Sequence, residues 1–404
     1  MIFAGDFGQL PPVSAKPLYS ADEVVAPIKH NKMSIQSQKN TIGKIIWQQV
    51  NTVVILKQNM RQTADTEEDI KFRTALTNMR FASCTKEDLQ YLESRTISKR
   101  PGRPSFECGE FSDVSIITAF NAQKDKINEL GSARFAQAHG QELTAFFSND
   151  TLADNVGDTE RKSKNFRGRD TVKIKTVIPA HRQQQLWDAQ PSFTSAHIPG
   201  KLNLCIGLPV MIRKNDATEL CITRGQEARV VGWEEGVGNH DQRILDTLFV
   251  ELIDPPRTVQ IPDLPSNVVA LSKIPQKIWC SLPDDMGVQI TREQVHVLPN
   301  FAMTDYASPG KTRAINVVDL NNCKDHFSYY TALSRSSTSA GTIILQGMDT
   351  FKITKGIHGS LRQEFRELEL LNEITRLRWE NELPATRQRC KQKRTYTFIP
   401  GLER

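Results

Sequence analysis

Gly5, Asp6 and Gln9 are the first residues in this chain placed to do chemistry. An apolar run over residues 1–4 predicts a buried strand, Gly5-Asp6 ends it, and Pro11-Pro12 stops any helix. Polar groups just past a strand end are where an open α/β sheet meets its ligand. A second cluster, Gly310-Lys311-Thr312, has the residue types that wrap phosphate in a P-loop. Its spacing rules that reading out: G-x-x-x-x-G-K-[ST] needs a glycine where Asp305 stands. Gly43-Lys44 is followed by Ile45 and Gly200-Lys201 by Leu202, so neither completes the motif. No apolar strand ends in Asp-Glu to serve as a Walker B element, since Asp22-Glu23 follows Ser20-Ala21 in a polar loop.

Positioning such groups takes sheets and helices, and the hydrophobic pattern supplies them in blocks. In residues 1–85, a helical stretch is expected over 41–47 and a buried β-branched strand over 51–56, leading into Lys57-Gln58-Asn59-Met60-Arg61-Gln62. Ile70, Phe72, Leu76 and Met79 then recur at roughly helical spacing, and another helix starts over 87–92. A second α/β unit opens with a strand over 114–120 and a helix beginning at Asn121. Residues 148–200 are polar and poorly periodic, which predicts a long surface excursion.

Between 200 and 297 short apolar runs at 209–212, 228–233, 248–253 and 259–261 alternate with turn signals, and strands at that spacing predict a small β-barrel. Strands over 314–320 and 341–345 return to α/β. Ser360 with Gln363 reads as a capping box for a final helix, striped by Leu361, Phe365, Leu368, Leu371 and Ile374 and ended by Pro384.

The 404 residues suffice for two or three domains, and 52 Lys+Arg against 46 Asp+Glu give a net +6 that permits a nucleic-acid partner without requiring one. Seven scattered cysteines with no C-x-x-C pair argue against a zinc site or a disulfide framework and fit a reducing compartment. No apolar run approaches the ~20 residues that span a bilayer. Neither a basic leader nor an apolar signal core precedes the first strand, so the sequence reads as starting inside a domain.

The opening string Gly5-Asp6-x-x-Gln9-Leu10-Pro11-Pro12-Val13 resembles motif III of superfamily 1B DNA helicases of the petite-integration-frequency type. Further likenesses follow in the family's order. Leu56–Gln62, ending Asn59-Met60-Arg61-Gln62, is similar to motif IV. Residues 208–216, with Thr223-Arg224-Gly225 and Val230-Val231-Gly232, look like the SH3-like insert, although a plain β-hairpin accounts for them equally. Phe301-Ala302-Met303-Thr304 through Thr312 resembles motif V, and Tyr329-Tyr330-Thr331-Ala332-Leu333-Ser334-Arg335 resembles motif VI. Motif V departs twice: the family's Lys is Ala307 and its Gln is Pro309, and proline loses its N–H, so coupling of nucleotide to DNA is put in doubt. The likeness covers roughly residues 1–350. Several stretches look closest to fungal helicase-like proteins of rolling-circle transposons.

The resemblance implies an α/β fold: the remainder of a first RecA-like domain (1–85), a second RecA-like domain (86–200 and 298–350), an SH3-like insert (201–297), and a helical basic tail (351–404). It implies a 5′→3′ DNA helicase driven by ATP, with Mg²⁺ bound only when the first domain is complete. Gln9, Arg61 and Arg335 would surround the γ-phosphate, an arginine suiting that task because its planar fork stays charged and meets phosphate oxygens in pairs. Gly5, Asp6, Gly310 and Lys311 would complete nucleotide binding, and Asn121, Ser308, Thr312 and Tyr330 would contact DNA. Partners would be single-stranded DNA or DNA junctions, with no membrane and no metal site of the chain's own. The alternative is a catalytically inactive DNA-binding remnant. Seven basic residues over 161–175, and Arg387, Arg389, Lys391, Lys393 and Arg394 in the tail, read as solvated loops or as phosphate contacts. The tail cluster also reads as a nuclear import signal, with a mitochondrial location as the other expectation.

Overall fold

The computed structural model describes residues 2–13, 15–20, 35–98, 104, 114–152, 178–282, 287–308 and 310–382. Met1, Pro309, Pro384 and both basic stretches lie outside the described residues.

Three helices come first: α1 (Ile35–Gln48), α2 (Glu67–Arg80) and α3 (Lys86–Ser94). Helix α2 starts where the Thr66 hydroxyl accepts from the Asp69 N–H, a cap worth about 1 kcal/mol. Helix α3 starts on a reciprocal box between Thr85 and Asp88. Phe72, Leu76 and Met79 point inward from α2 as their spacing predicts, whereas Ile70 stays exposed.

Strand β1 (Ile116–Thr118) and helix α4 (Asn121–Ala138) open the second unit. Next come β2 (Thr144–Phe147), β3 (Asn149–Leu152) and α5 (Ala180–Asp188). A run of strands follows: β4 (Lys201–Leu204), β5 (Pro209–Ile212), β6 (Glu227–Val237), β7 (Arg243–Leu252) and β8 (Val268–Ser272). It continues with β9 (Ile274–Ser281), β10 (Gly287–Gln294), β11 (Val297–Pro299), β12 (Ala302–Thr304) and β13 (Asn316–Val318). The chain ends in α6 (His326–Leu333), β14 (Thr342–Ile344), α7 (Phe351–Thr354) and α8 (Gly359–Trp379).

Four strands form a parallel sheet in the order β12-β1-β13-β14. Its strands are buried on both faces, as a parallel sheet requires. Ile117, Met303, Val318 and Ile344 share one core with Phe72, Met79 and Leu92 from α2 and α3 and with Tyr329 and Leu333 from α6. Each such fully buried side chain stabilises by roughly 1.5–3 kcal/mol.

The antiparallel part is a five-stranded sheet, β11-β5-β6-β7-β8, and a three-stranded one, β3-β10-β9, with β2 pairing β4. Phe135 of α4 and Phe301 belong to the five-stranded sheet's core, which joins it to the parallel sheet. The pairs β2–β4 and β3–β10 cross residue 200. Residues 148–200 are therefore no simple surface excursion: their described part supplies β3 and α5. Asp150 is fully buried there and takes two hydrogen bonds from Arg292, at 2.9 and 2.8 Å, while Gln183 donates to it at 3.0 Å.

Four local expectations are corrected. Residues 2–4 form no strand, and Ile2 and Phe3 stay exposed. Residues 51–56 form no strand either; the Val53 and Ile55 N–H groups donate instead to Thr375 Oγ1 (3.0 Å) and Asn372 Oδ1 (2.8 Å) of α8. A β-branched run becomes a strand only beside a partner, and no described strand lies next to either segment. Residues 259–261 carry no ladder and pass between β7 and β8. Finally, α8 is capped by His358, whose ring accepts from the Ser360 N–H at 3.3 Å, two residues earlier than the expected Ser360 cap.

Candidate functional site

The turn after residue 5 is held by its own carboxylate. Asp6 Oδ1 accepts from the Gly8 N–H at 2.8 Å, and the Gln9 N–H donates to Asp6 O at 3.1 Å. The same Oδ1 takes a 2.7 Å ion pair from Arg80, at the last turn of α2. Gly8 is required there: a Cβ would sit 2.7 Å from Arg80 Cγ. Gln9 is half-buried beside this turn and Gly5 is exposed.

Arg61 reaches the second unit. Its Nε donates to Thr312 Oγ1 at 3.1 Å and its Nη1 to Ser334 O at 2.9 Å. Gln62 pins the same loop, its buried amide donating to Ser336 O at 2.6 Å. Arg335 follows the last turn of α6 and is 2% exposed; it donates to Thr331 O at 2.9 Å and to Ser334 Oγ at 2.8 Å. Burial, reinforced by the nearby Arg61 charge, pulls its pKa down to about 10. Among the described residues neither arginine has a carboxylate within ion-pair distance, so a buried cation, Arg335, and a half-buried one, Arg61, meet at the Ser334 turn.

Tyr330 completes the group. It is half-buried, burial raises its hydroxyl pKa, Asp6 raises it further, and Arg80, Arg335 and Arg61 oppose the rise. Asp6, Arg61, Thr312, Tyr330 and Arg335 are thus brought together, Thr312 and Tyr330 on the arginine side rather than on a separate DNA track.

The remaining expected residues go elsewhere. Lys311 forms an ion pair with Glu227 of β6, so its charge is spent on the antiparallel sheet. Gly310 turns an exposed corner at φ +86°, a conformation open to glycine. Ser308 is fully buried with its hydroxyl donated to Asp305 O at 2.8 Å, which removes it from any surface a DNA strand could touch in this conformation. Asn121 begins α4 at the end of β1, where its Oδ1 accepts from Lys124 Nζ at 3.3 Å. Sequence reasoning missed Arg80 and Gln62; a basic residue closing a helix and an amide beside Arg61 were the available signals.

The cluster suits an anion with several oxygens, approached in this conformation from Arg61 and Tyr330, with Arg335 buried behind them. It does not suit a divalent cation, because Asp6 is engaged by Arg80 and Gly8, and no group of three His, Cys, Asp or Glu among the described residues could hold a metal. No described helix is long and apolar enough to cross a membrane.

No protein-family model matches the sequence, and no curated protein does either. Solved structures do match. A Pif1 helicase from Bacteroides in complex with ADP-AlF3 and ssDNA is 16% identical, with 90% of this chain and 65% of that one covered at a TM-score of 0.52. Bacteroides Pif1 bound to ssDNA is also 16% identical, over 83% and 63%, at 0.50. A structure of two coordinating Pif1 helicases at forked dsDNA is 15% identical, over 87% and 63%, at 0.50. The chain spans less than two thirds of the length of each. Over that span its mixed α/β architecture matches the RecA-like fold of these Pif1 helicase structures.

Proposed function

We propose that this chain is the C-terminal part of an ATP-dependent DNA helicase of the Pif1 type that moves 5′→3′ along single-stranded DNA. The observation that carries this reading is the meeting of the half-buried Arg61 and the buried Arg335, guanidinium groups from separate parts of the chain, at Ser334. In a low-dielectric cleft such donors favour charge on a terminal phosphate and weaken when the cleft opens. Gln9, next to the Asp6 turn, is the candidate to report the nucleotide's state. ATP supplies the free energy of stepping, and the chain's own residues would bind and orient its phosphate end. No ligand set for magnesium stands among the described residues and the sequence holds no complete P-loop, so in this reading both would come from a segment joined to this chain.

Residues 201–297 would act as an SH3-like insert on the second RecA-like domain, with 1–85 contributing to the first and 351–404 a helical tail. Nuclear location remains part of this proposal on the basic tail alone. The second reading, a DNA-binding remnant without ATP turnover, is favoured by Ala307 and Pro309 in motif V.

A labelled single-stranded oligonucleotide titrated with the chain at two salt concentrations tests both readings. Weak, sequence-tolerant binding that falls along a shallow salt slope is expected from the modest net charge of +6. Absence of binding at low salt removes both. DNA-stimulated ATP turnover by the chain alone would refute the division of labour with residues outside it.

A further inference from the structure

Arg335 is held by the turn that carries it, through Thr331 O and Ser334 Oγ, so its guanidinium goes where residues 334–336 go. Two neutral amides grip that turn from opposite sides. On the sheet side stands Asn316 of β13, fully buried. Its Nδ2 donates to Ala332 O at 2.9 Å and to Ser336 Oγ at 3.0 Å, and its Oδ1 accepts from Arg313 Nη1 at 3.4 Å. Arg313 extends the grip: its N–H donates to Arg335 O and its carbonyl accepts from the Ser337 N–H, both at 2.9 Å. Since β13 lies between β1 and β14, the turn is fastened to an interior strand of the parallel sheet.

On the other side stands Gln62, 4% exposed, whose Nε2 donates to Ser336 O at 2.6 Å. It is fixed in turn by Asn59. The Asn59 amide donates to Gln62 Oε1, and Asn59 Oδ1 accepts from the N–H groups of Arg61 and Gln62 at 3.0 and 3.1 Å. Arg73 of α2 donates to the Gln62 carbonyl at 3.1 Å. Arg61 and Gln62 therefore belong to one closed turn. Both meet the turn of Arg335 across sequence separations of 273 and 274 residues.

Neither amide carries charge, and both are buried, so neither is itself a partner for an anion. What they fix is where the two guanidinium groups stand. Hydrogen bonds are short and directional. An anion with several oxygens gains from donors already in place and loses that gain when one of them shifts by about an ångström.

We infer that Gln62 and Asn316 are positioning residues of the anion site. Asn316 fastens the Arg335 turn to the parallel sheet and Gln62 fastens the Arg61 turn to it, so together they set the separation of the two guanidinium groups. The inference rests on the phosphate-binding role proposed above for the arginines and adds the side chains that give it its geometry.

The test titrates the full chain with inorganic tripolyphosphate and records each variant's unfolding temperature without ligand. Wild type is expected to bind, and Arg61→Ala to bind more weakly. Gln62→Ala removes the donor to Ser336 O and should weaken binding about 5- to 150-fold, the cost of re-forming a turn that has lost one buried hydrogen bond. A role through placement also requires coupling. In an Arg61→Ala background, Gln62→Ala should add nothing measurable, a non-additivity that loss of stability alone does not produce. Ser336→Ala, a milder cut from the sheet side, should weaken binding by a smaller factor and add nothing in an Arg335→Ala background. It carries the test by itself where Gln62→Ala does not fold. Wild-type affinity in Gln62→Ala and Ser336→Ala, with Arg61→Ala weakened, overturns the positioning role and leaves the anion reading standing. Full additivity of Gln62→Ala with Arg61→Ala overturns it too and makes Gln62 a residue of stability alone. A wild-type chain that binds no tripolyphosphate, or one whose binding Arg61→Ala leaves unchanged, overturns both.

Discussion

Residues 51–56 and residues 114–120 carry nearly the same local message, a β-branched apolar run after a polar stretch, and end up in opposite states. In the second, Ile117 is 1% exposed in the middle of a parallel sheet, with β12 and β13 on its two sides. In the first, Val54 is 72% and Leu56 90% exposed, and two of its N–H groups are taken by side chains of α8. Strand propensity is a preference for a pleated, half-buried surface, and it is realised only where neighbouring strands provide one. The amino-terminal region thus holds its chemistry on loops pinned at a few points, by Asp6–Arg80, Arg61 and Gln62. The second unit holds its own on a packed sheet.

The largest expected effect tests whether the two regions work as one. In a chain joined to a segment bearing a P-loop, Arg61→Ala from the loosely held region and Arg335→Ala from the packed one should each slow ATP turnover by about 10³-fold or more. Nucleotide-free DNA affinity should barely change. Loss of DNA binding in step with turnover would place these arginines on the DNA track instead.

Next in size is the packed region's buried ion pair. Arg292→Ala leaves Asp150 buried without its partner and should cost about 3–5 kcal/mol in a denaturant titration. The double replacement Asp150→Leu with Arg292→Met should recover most of that. A single variant as stable as wild type would show that water reaches the pair.

The contrast between the two runs is sharpened by matched truncations. Ile117→Ala should destabilise by about 2–5 kcal/mol, while Val54→Ala should stay within about 0.5 kcal/mol. Equal costs would mean that residues 51–56 pack against something in solution.

The smallest effect is one of pH. Burial, the leading cause at each, holds the pKa of His197, His296 and His326 below the ordinary 6.5. Their rings stay neutral in the folded chain, whereas the unfolded chain binds protons as pH falls through 6.5. Stability should therefore be full above 6.5 and decline as pH drops below it, down to the lowered folded-state values. All three lie in the second unit, so Tm should fall between pH 7 and 5, with signals from that unit moving first. An unchanged Tm over this range would mean that these rings are solvated.

Helices α2, α3 and α8 were legible in the sequence because a helix closes its hydrogen bonds within four residues and shows its buried face as a 3.6-residue period. Gln9, Arg61 and Arg335 could be singled out as candidates because each follows a recognisable local string. Strand pairing was not, because a ladder needs a partner that may lie a hundred residues away: β1 meets β12 and β13, while residues 51–56 meet a helix. Nor could residue type alone say which charges come together. Lys311 sits in a phosphate-like string and pairs with Glu227, Ser308 turns inward, and Arg80, marked by no motif, is the cation that fixes Asp6. Sequence determined which residues could carry charge and where helices run; tertiary structure decided the neighbours, because Coulombic and ladder partners are chosen by distance in space and not along the chain.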